Sequence, residues 1–328
     1  MTANSLILTH PSQEIRGTVQ LTGSKSESNR ALIIQALSSG AVQVKNLSEA
    51  ADTVILNSVL KKIQDNSLGV NTIDIGPAGT AMRFLTSYLN LIKGNFILTG
   101  TQRMQQRPIG ILVDALKALG ADIHYENKPG YPPLRIEGGM IQGKDEISIQ
   151  GNISSQYISS LLLIASSLKK GLKVDILGEL TSRPYITMTL EMLKECGVEY
   201  IFKENSIQIA KQPFQKSIIY VEPDWSAASY WYSIVALSKN GYIILPGLKQ
   251  NSLQGDIEIV EIMTHFGVES RFQADGLHLK KVKRQSNKTL FDFKECPDLA
   301  QTVVVVASAL KINVSFTGLE TLKIKETD

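Results

Sequence analysis

The length, composition and charge of the chain are those of an ordinary globular protein. Of its 328 residues, 43% are hydrophobic and 20% are charged, and this length suggests about two domains. The 34 basic and 31 acidic residues give a formal net charge of +3. Because no stretch gathers Lys and Arg into a stripe, we predict no nucleic-acid partner.

The cysteine, histidine and apolar content argue against several other classes of protein. Cys196 and Cys296 each stand alone in an apolar segment, so both are expected in the core rather than in a disulfide or a zinc site. The four histidines lack ligand spacing, and we predict no metal site. We find no secretory signal pattern, and the longest apolar runs fall far short of the roughly 20 residues that cross a bilayer. We therefore expect a cytoplasmic protein without membrane contact.

In chain order, five segments share one plan of a small polar start, a helix, a break, a β-rich strand and a closing Gly or Asn. They are residues 28–46, 79–100, 154–178, 225–247 and 298–318. A second helix follows in the first four copies, and in three of them Gly120, Gly197 or Gly267 ends it, as a C′ glycine does. A β-branched strand comes next each time, so the pattern predicts an α/β fold of strand–helix–strand–helix–strands units.

Glycine and proline punctuation predicts a hinge at residues 21–23 and at residues 222–224. If the N-terminal strand returns to the later units, the domains are residues 22–222 and residues 1–21 plus 223–328. The fifth copy stops at residues 325–328, where its second helix should begin, so we expect an incomplete last unit and a truncated chain. A naturally short last unit is the alternative, because terminal repeats are often atypical.

Two helix starts near the N-terminus carry groups that bind anions. Residues 23–30 offer hydroxyls, backbone N–H groups, Lys25 and Arg30, and a helix N-terminus attracts anions through its unpaired N–H groups and its dipole. Residues 76–83 place two glycines around an alanine, so a ligand can approach the backbone closely at Gly79. Taken singly, a helix cap or turn explains each segment better.

Three further helix starts carry similar groups. Arg103 and Arg107 precede a helix whose first residue is expected to be Pro108, and arginine forks bind carboxylate or phosphate. Residues 154–156 and 182–185 add serine hydroxyls and an amide, which suit phosphate oxygens and sugar-like hydroxyls. Because repeats bring equivalent ends to one face, the five starts together predict one site for phosphorylated, carboxylated substrates.

Two acidic residues are candidates for proton transfer. Asp298 is expected to cap a long apolar helix of residues 299–310. If Asp298 faces the basic cleft, it can accept a proton from a substrate hydroxyl. Glu326 supplies a second titratable group near the chain end.

Ten segments, in this order, resemble the motifs of the 5-enolpyruvylshikimate-3-phosphate (EPSP) synthase family: GSKSESNRALIIQAL, PAGTAMRFL, TGTQRMQQRPIGILVDALKALGA, YPPLRIEGG, SSQYISSLLL, SRPYITMTLEMLKECGV, EPDWSAASY, NSLQGDI, CPDLAQT and KETD. The resemblance covers essentially the whole chain. It implies an α/β fold of two domains built from repeated βαβαββ units, like an inside-out α/β barrel, with the last units incomplete. It also implies transfer of the enolpyruvyl group of phosphoenolpyruvate to the 5-hydroxyl of shikimate 3-phosphate, with no metal or organic cofactor.

The resemblance assigns most candidate site residues to one of the two substrates. The implied shikimate 3-phosphate residues are Lys25, Ser26, Arg30, Ser154, Ser155, Gln156, Ser182, Tyr185 and Asp298. The implied phosphoenolpyruvate residues are Lys25, Gly79, Arg107 and Gln156, with Arg103 close by. Implied catalytic residues are Lys25, Asp298 as the base on the 5-hydroxyl, and Glu326, which resembles a carboxyl group that exchanges protons at the reacting carbon.

Three positions depart from the family pattern: Pro77 replaces Asn, Phe84 replaces Pro and Arg183 replaces Lys. Pro77 lies beside Gly79 and therefore affects the shape of the phosphoenolpyruvate pocket. The retained Ala78 and Gly79 imply that glyphosate competes with phosphoenolpyruvate.

Two alternatives to an active EPSP synthase are considered. The family continues beyond the last motif into cationic phosphoenolpyruvate-binding residues, so a non-catalytic chain that binds shikimate 3-phosphate only is one alternative. A UDP-N-acetylglucosamine enolpyruvyl transferase is less favoured, because residues 100–104 lack the cysteine expected of it. Family members are usually monomeric, whereas an incomplete chain with exposed apolar surface is inclined to associate.

Overall fold

The computed structural model describes residues 12–65, 72–152, 154–320 and 322. The helices of this part are α1 Lys25–Leu37, α2 Ala51–Gln64, α3 Gly79–Tyr88, α4 Gly110–Leu119, α5 Ser155–Ala165, α6 Arg183–Glu195, α7 Trp225–Leu237, α8 Ile259–Thr264 and α9 Ala300–Ala309. The strands are β1 Glu14–Thr18, β2 Val42–Lys45, β3 Thr72–Asp74, β4 Gly94–Thr99, β5 Asp122–Tyr125, β6 Leu134–Gly138, β7 Glu146–Gln150, β8 Leu172–Leu177, β9 Ile201–Lys203, β10 Ser206–Ile209, β11 Ser217–Tyr220, β12 Asn240–Leu245, β13 Val268–Gln273, β14 Gly276–Lys281, β15 Leu290–Asp292 and β16 Ser315–Thr317.

Three four-stranded sheets repeat one topology. Their strand orders are β3-β4-β6-β5, β7-β8-β10-β9 and β1-β12-β14-β13. In each sheet the first pair is parallel and the other pairs are antiparallel. A parallel pair needs a crossover connection, which α3 supplies between β3 and β4 and α5 supplies between β7 and β8. The predicted α/β fold of repeated βαβαββ units is confirmed.

The chain has two halves, defined by their hydrophobic cores: residues 31–221 form one, and residues 225–307 with residues 15–21 form the other. The chain passes twice between these halves, and the two crossing segments lie side by side. β1 pairs in parallel with β12, and β11 pairs in parallel with β2. Gly23 forms a bridge with Pro223, and the Ser24 amide donates to the Glu222 carbonyl at 2.8 Å. The two segments predicted to form a hinge are therefore in contact, while the domain limits drawn from them stay a prediction.

The hydrophobic core forms two clusters, one among residues 31–221 and the other among residues 225–307. All of α3 is buried, as is most of α5, whereas β7 alternates between exposed and buried residues. The helices therefore fill the interior, and the sheets keep one face towards solvent. Cys196 and Cys296 are buried free thiols, as predicted. Among the described residues, no helix has both the length and the apolar character needed to cross a membrane.

Two predicted helix starts are wrong. α4 begins at Gly110 rather than at Pro108, because the Pro108 carbonyl accepts hydrogen bonds from the side chains of Arg83 and Tyr157 instead of entering the helix. Asp298 is not a helix cap: it lies inside a 3-10 turn, Pro297–Leu299, that precedes α9. A proline that starts this turn moves Asp298 one residue inside it.

Candidate functional site

Helix starts from both halves of the chain meet at one cleft. Its lining comes from the first two turns of α1 and α3, from the first turns of α5 and α6, from the segment before α4, and from the turn before α9. The lining residues are Lys25, Ser26, Arg30, Thr80, Arg83, Arg107, Pro108, Ser154, Ser155, Gln156, Tyr157, Ser182, Tyr185, Pro297 and Asp298. Hydroxyls and arginines beside the Asp298 carboxylate suit a ligand that carries both hydroxyls and negative charges.

Arg30 lies in the second turn of α1, and only 2% of its surface is exposed. Its Nε donates to Thr189 Oγ1 (2.7 Å), and its Nη1 donates to the Ser26 carbonyl (2.9 Å). Its Nη2 donates to Ser159 Oγ (3.0 Å) and to the Tyr185 carbonyl (3.2 Å). Burial lowers the pKa of Arg30 to about 10, so the guanidinium stays charged at neutral pH.

At the start of α3 the backbone lies against an arginine side chain. A Cβ on Gly79 would lie 2.3 Å from Nη1 of Arg107, so a side chain there would displace the guanidinium. Arg83, one turn later, donates to the Gly79 carbonyl (3.2 Å) and to the Pro108 carbonyl (3.0 Å). These contacts fix the start of α3 against the segment that carries Arg107.

Serine hydroxyls stand at two helix starts on the other side of the cleft. Ser154 Oγ accepts from the Gln156 amide (3.4 Å) and so caps α5. Ser182 precedes α6 with a φ of 54°, a left-handed conformation that costs a residue with a side chain about 1–3 kcal/mol. Within the described residues, the Ser182 side chain makes no capping bond to α6. The backbone conformation thus presents Ser182 to the cleft rather than to its own helix.

A tyrosine–carboxylate contact joins the two halves across the cleft. The Tyr185 hydroxyl donates to Asp298 Oδ2 at 2.5 Å. Burial and then the Asp298 carboxylate raise the pKa of Tyr185 well above its usual value, so the phenol remains a donor. Nearby, Lys294 pairs with Glu179 between the same two halves. Tyr185 therefore orients a carboxylate that comes from the opposite half.

Comparison with known proteins identifies the family. The family model described as EPSP synthase (3-phosphoshikimate 1-carboxyvinyltransferase) matches residues 9–328. This chain belongs to the EPSP synthase family. A 3-phosphoshikimate 1-carboxyvinyltransferase of Bacteroides fragilis is 49% identical over 323 residues, which cover 98% of this chain and 77% of the relative. One of Sulfurovum sp. (strain NBC37-1) is 36% identical over 99% of this chain and 80% of that relative.

A solved structure supports the same fold. The EPSP synthase of Acinetobacter baumannii has a TM-score of 0.71 and 20% identity, and the match covers 96% of this chain and 76% of that chain. At this identity the likeness concerns the fold alone. The predicted membership of the EPSP synthase family is confirmed by the family model and the relatives.

The positions predicted from EPSP synthase motifs come together with three exceptions. Arg103 does not line the cleft. Gly79 does not line the cleft but lies against Arg107, and Glu326 lies outside the described residues. Sequence reasoning missed Thr80, Arg83 and Tyr157 as lining residues. Helical spacing from Gly79 was the available signal for Arg83, four residues later, and Thr80 follows Gly79 directly in the first turn of the same helix. An aromatic residue at a helix start, such as Tyr157, predicts core packing.

Proposed function

We propose that this chain transfers the enolpyruvyl group of phosphoenolpyruvate to the 5-hydroxyl of shikimate 3-phosphate and releases phosphate. The name shared by its relatives supports this activity. The single observation that carries the proposal is the convergence of six separate segments, four helix starts and the segments before α4 and α9, with hydroxyls, cations and Asp298, on one cleft. Small molecules are the substrates, and we propose a cytoplasmic setting for the reaction.

Shikimate 3-phosphate would span the cleft between its serines and Arg30. Ser154, Ser155 and Ser182 would hold the 3-phosphate, because hydroxyls can donate to phosphate oxygens. Ser26 and Arg30, on α1, would hold a ring hydroxyl and the carboxylate, since the buried guanidinium of Arg30 keeps its charge. Gln156 would lie beneath the ring, where its Nε2 already donates to Thr80 Oγ1 at 3.4 Å.

Phosphoenolpyruvate would bind at the start of α3 beside Arg107. The close approach of Gly79 to Arg107 supports this placement, because a bare backbone leaves room for the guanidinium and an anion. Lys25, whose side chain is exposed at the start of α1, would reach both substrates. Gln156 completes the lining between the two ligands.

In the proposed reaction Asp298 acts as the base. It would take the proton of the 5-hydroxyl while that oxygen bonds to C2 of phosphoenolpyruvate and C3 gains a proton. The resulting tetrahedral intermediate loses phosphate as the enol ether double bond forms, and the proton gained at C3 is returned. Tyr185 would hold the Asp298 carboxylate in place. Glu326 remains the proposed partner for proton exchange at C3.

Two measurements on the wild-type chain test this proposal. Calorimetry should show shikimate 3-phosphate binding, and a coupled assay should show phosphate release that needs both substrates. Asp298→Asn should abolish release and keep shikimate 3-phosphate bound, because the amide cannot act as a base. Binding without release would favour the binding-only alternative. Absence of both binding and release would refute the proposed function.

A further inference from the structure

The buried guanidinium of Arg30 has nearly all its donors occupied by protein. An arginine side chain carries five N–H groups, and four of those of Arg30 have acceptors among the described residues. One Nη1 N–H has no acceptor within the described part of the chain and is left for a ligand. Arg30 therefore offers a carboxylate one hydrogen bond and its charge, and the position of that single N–H depends on what holds the other four.

Two hydroxyls outside the cleft lining hold the guanidinium. Thr189 on α6 and Ser159 on α5 are both fully buried, and neither lines the cleft. Thr189 Oγ1 accepts from Arg30 Nε at 2.7 Å and lies 2.8 Å from the Tyr185 carbonyl, to which it donates. Ser159 Oγ accepts from Arg30 Nη2 at 3.0 Å. Thr189 thus links the guanidinium of Arg30, on α1, to the backbone of α6, and Ser159 links it to α5.

Aromatic rings complete the cradle around Arg30. The guanidinium carbon lies 5.5 Å from the ring centre of Phe84 and 5.8 Å from that of Tyr185. Phe84 is buried on α3. Both rings attract the cation without accepting an N–H in the plane of the guanidinium. The rotation of the guanidinium in its own plane is therefore set by its hydrogen-bond acceptors, the hydroxyls of Thr189 and Ser159 and two backbone carbonyls.

We propose that Thr189, assisted by Ser159, is a positioning residue that aims the remaining Nη1 N–H of Arg30 at the carboxylate of the bound substrate. This role rests on the proposed function, because the carboxylate is that of shikimate 3-phosphate. Replacing Thr189 by valine keeps the volume but removes the acceptor of Nε. The guanidinium would then turn to find another partner, and the substrate carboxylate would lose its aligned donor.

The test measures by calorimetry how shikimate 3-phosphate and inorganic phosphate bind to four variants: Thr189→Val, Thr189→Ser, Thr86→Val and Ser159→Ala. Thr189→Val should weaken shikimate 3-phosphate binding by about tenfold or more, as expected for a hydrogen bond to a charged group. The affinity for inorganic phosphate, which needs only the serine side of the cleft, should be unchanged. Thr189→Ser should restore wild-type affinity, since it keeps the hydroxyl. Thr86→Val is the matched control, because Thr86 is a buried threonine whose hydroxyl donates only to the Met82 carbonyl of its own helix.

Equal shikimate 3-phosphate affinity in Thr189→Val and wild type would overturn the inference. So would an equal loss for shikimate 3-phosphate and inorganic phosphate, since that indicates general damage to the cleft. If Thr189→Val does not fold, Ser159→Ala should show the same selective loss, and its absence overturns the inference. A wild-type chain that fails to bind shikimate 3-phosphate would instead refute the proposed function.

Discussion

A buried carboxylate at the crossing of the two halves should make stability depend on pH. Glu27, in the first turn of α1, is only 5% exposed. Its Oε2 accepts from the Glu222 amide (2.9 Å), and its Oε1 accepts from Gln254 Nε2 (3.2 Å). Burial raises the pKa of Glu27 from 4.5 to about 7, the Glu222 carboxylate adds to the rise, and the two hydrogen bonds and Lys249 oppose it.

The sign and size of the effect follow from proton linkage. The folded-state pKa of Glu27 is above the unfolded one, so the folded chain binds more protons between pH 4.5 and about 7. The resulting stabilisation is complete below pH 4.5 and is lost as pH rises through 7. Integrated from pH 5 to pH 8, the loss is about 2.5 kcal/mol. Glu27→Gln does not titrate, so the variant should gain about this much relative to wild type across the same range.

Urea unfolding at pH 5, 6, 7 and 8 measures this difference. The curve of wild-type minus Glu27→Gln stability should slope downwards with pH, whatever constant offset the lost acceptor adds. Thr53→Val is a suitable control, because its buried hydroxyl donates to Asn29 Oδ1 on the same α1 and does not titrate in this range. A constant difference between wild type and Glu27→Gln from pH 5 to 8 would refute the reasoning.

Three further predictions concern the cleft. Gly79→Ala should raise KM for phosphoenolpyruvate because its Cβ would meet Arg107 at 2.3 Å, while calorimetric affinity for shikimate 3-phosphate stays the same; an unchanged KM would contradict the placement of phosphoenolpyruvate. Phe84→Leu should weaken shikimate 3-phosphate binding by at most about 2 kcal/mol, the strength of the ring contact that holds Arg30 in place, and wild-type affinity in calorimetry would contradict it. Arg30→Ala and Ser155→Ala should each cost about 1.5–3 kcal/mol of the same binding; titrations with unchanged affinity in both would remove the site assignment.

The features that the sequence predicted well are local ones. Glycine at a helix end and serine at a helix start act within one turn, so Gly120 and Ser154 indicated where helices stop and begin. Repetition of the same pattern then predicted an α/β fold of strand–helix–strand–helix–strands units, because equal units pack alike, whereas the strand order of the sheets was not predicted. Local turn chemistry also explains the error at Asp298, since Pro297 opens a 3-10 turn before α9 and removes Asp298 from the cap.

The features that the sequence did not predict depend on distant contacts. Glu27 fits an exposed acidic residue in the first turn of a helix, where the dipole favours it. Its burial comes from Glu222 and Gln254, which lie 195 and 227 positions away. Thr189 likewise fits one more polar position of α6, and only its packing against Arg30, 159 residues away, gives it a role. Helical periodicity marks the buried face but does not identify the partner that a buried polar group finds there.

The residues with shifted pKa values affect two different properties of the protein, ligand binding in the cleft and stability at the crossing of the halves. Arg30, with its pKa lowered to about 10, stays charged from pH 6 to 8, and Tyr185 stays protonated because its pKa is raised. Glu27 titrates in this range but does not line the cleft. The difference in stability between wild type and Glu27→Gln should therefore change with pH. The pH dependence of shikimate 3-phosphate affinity should be the same in both proteins. Calorimetric titration of both proteins with shikimate 3-phosphate at pH 6, 7 and 8 tests this expectation. A divergence in affinity would show that the Glu27 charge reaches the ligand through Arg30, whose pKa it raises.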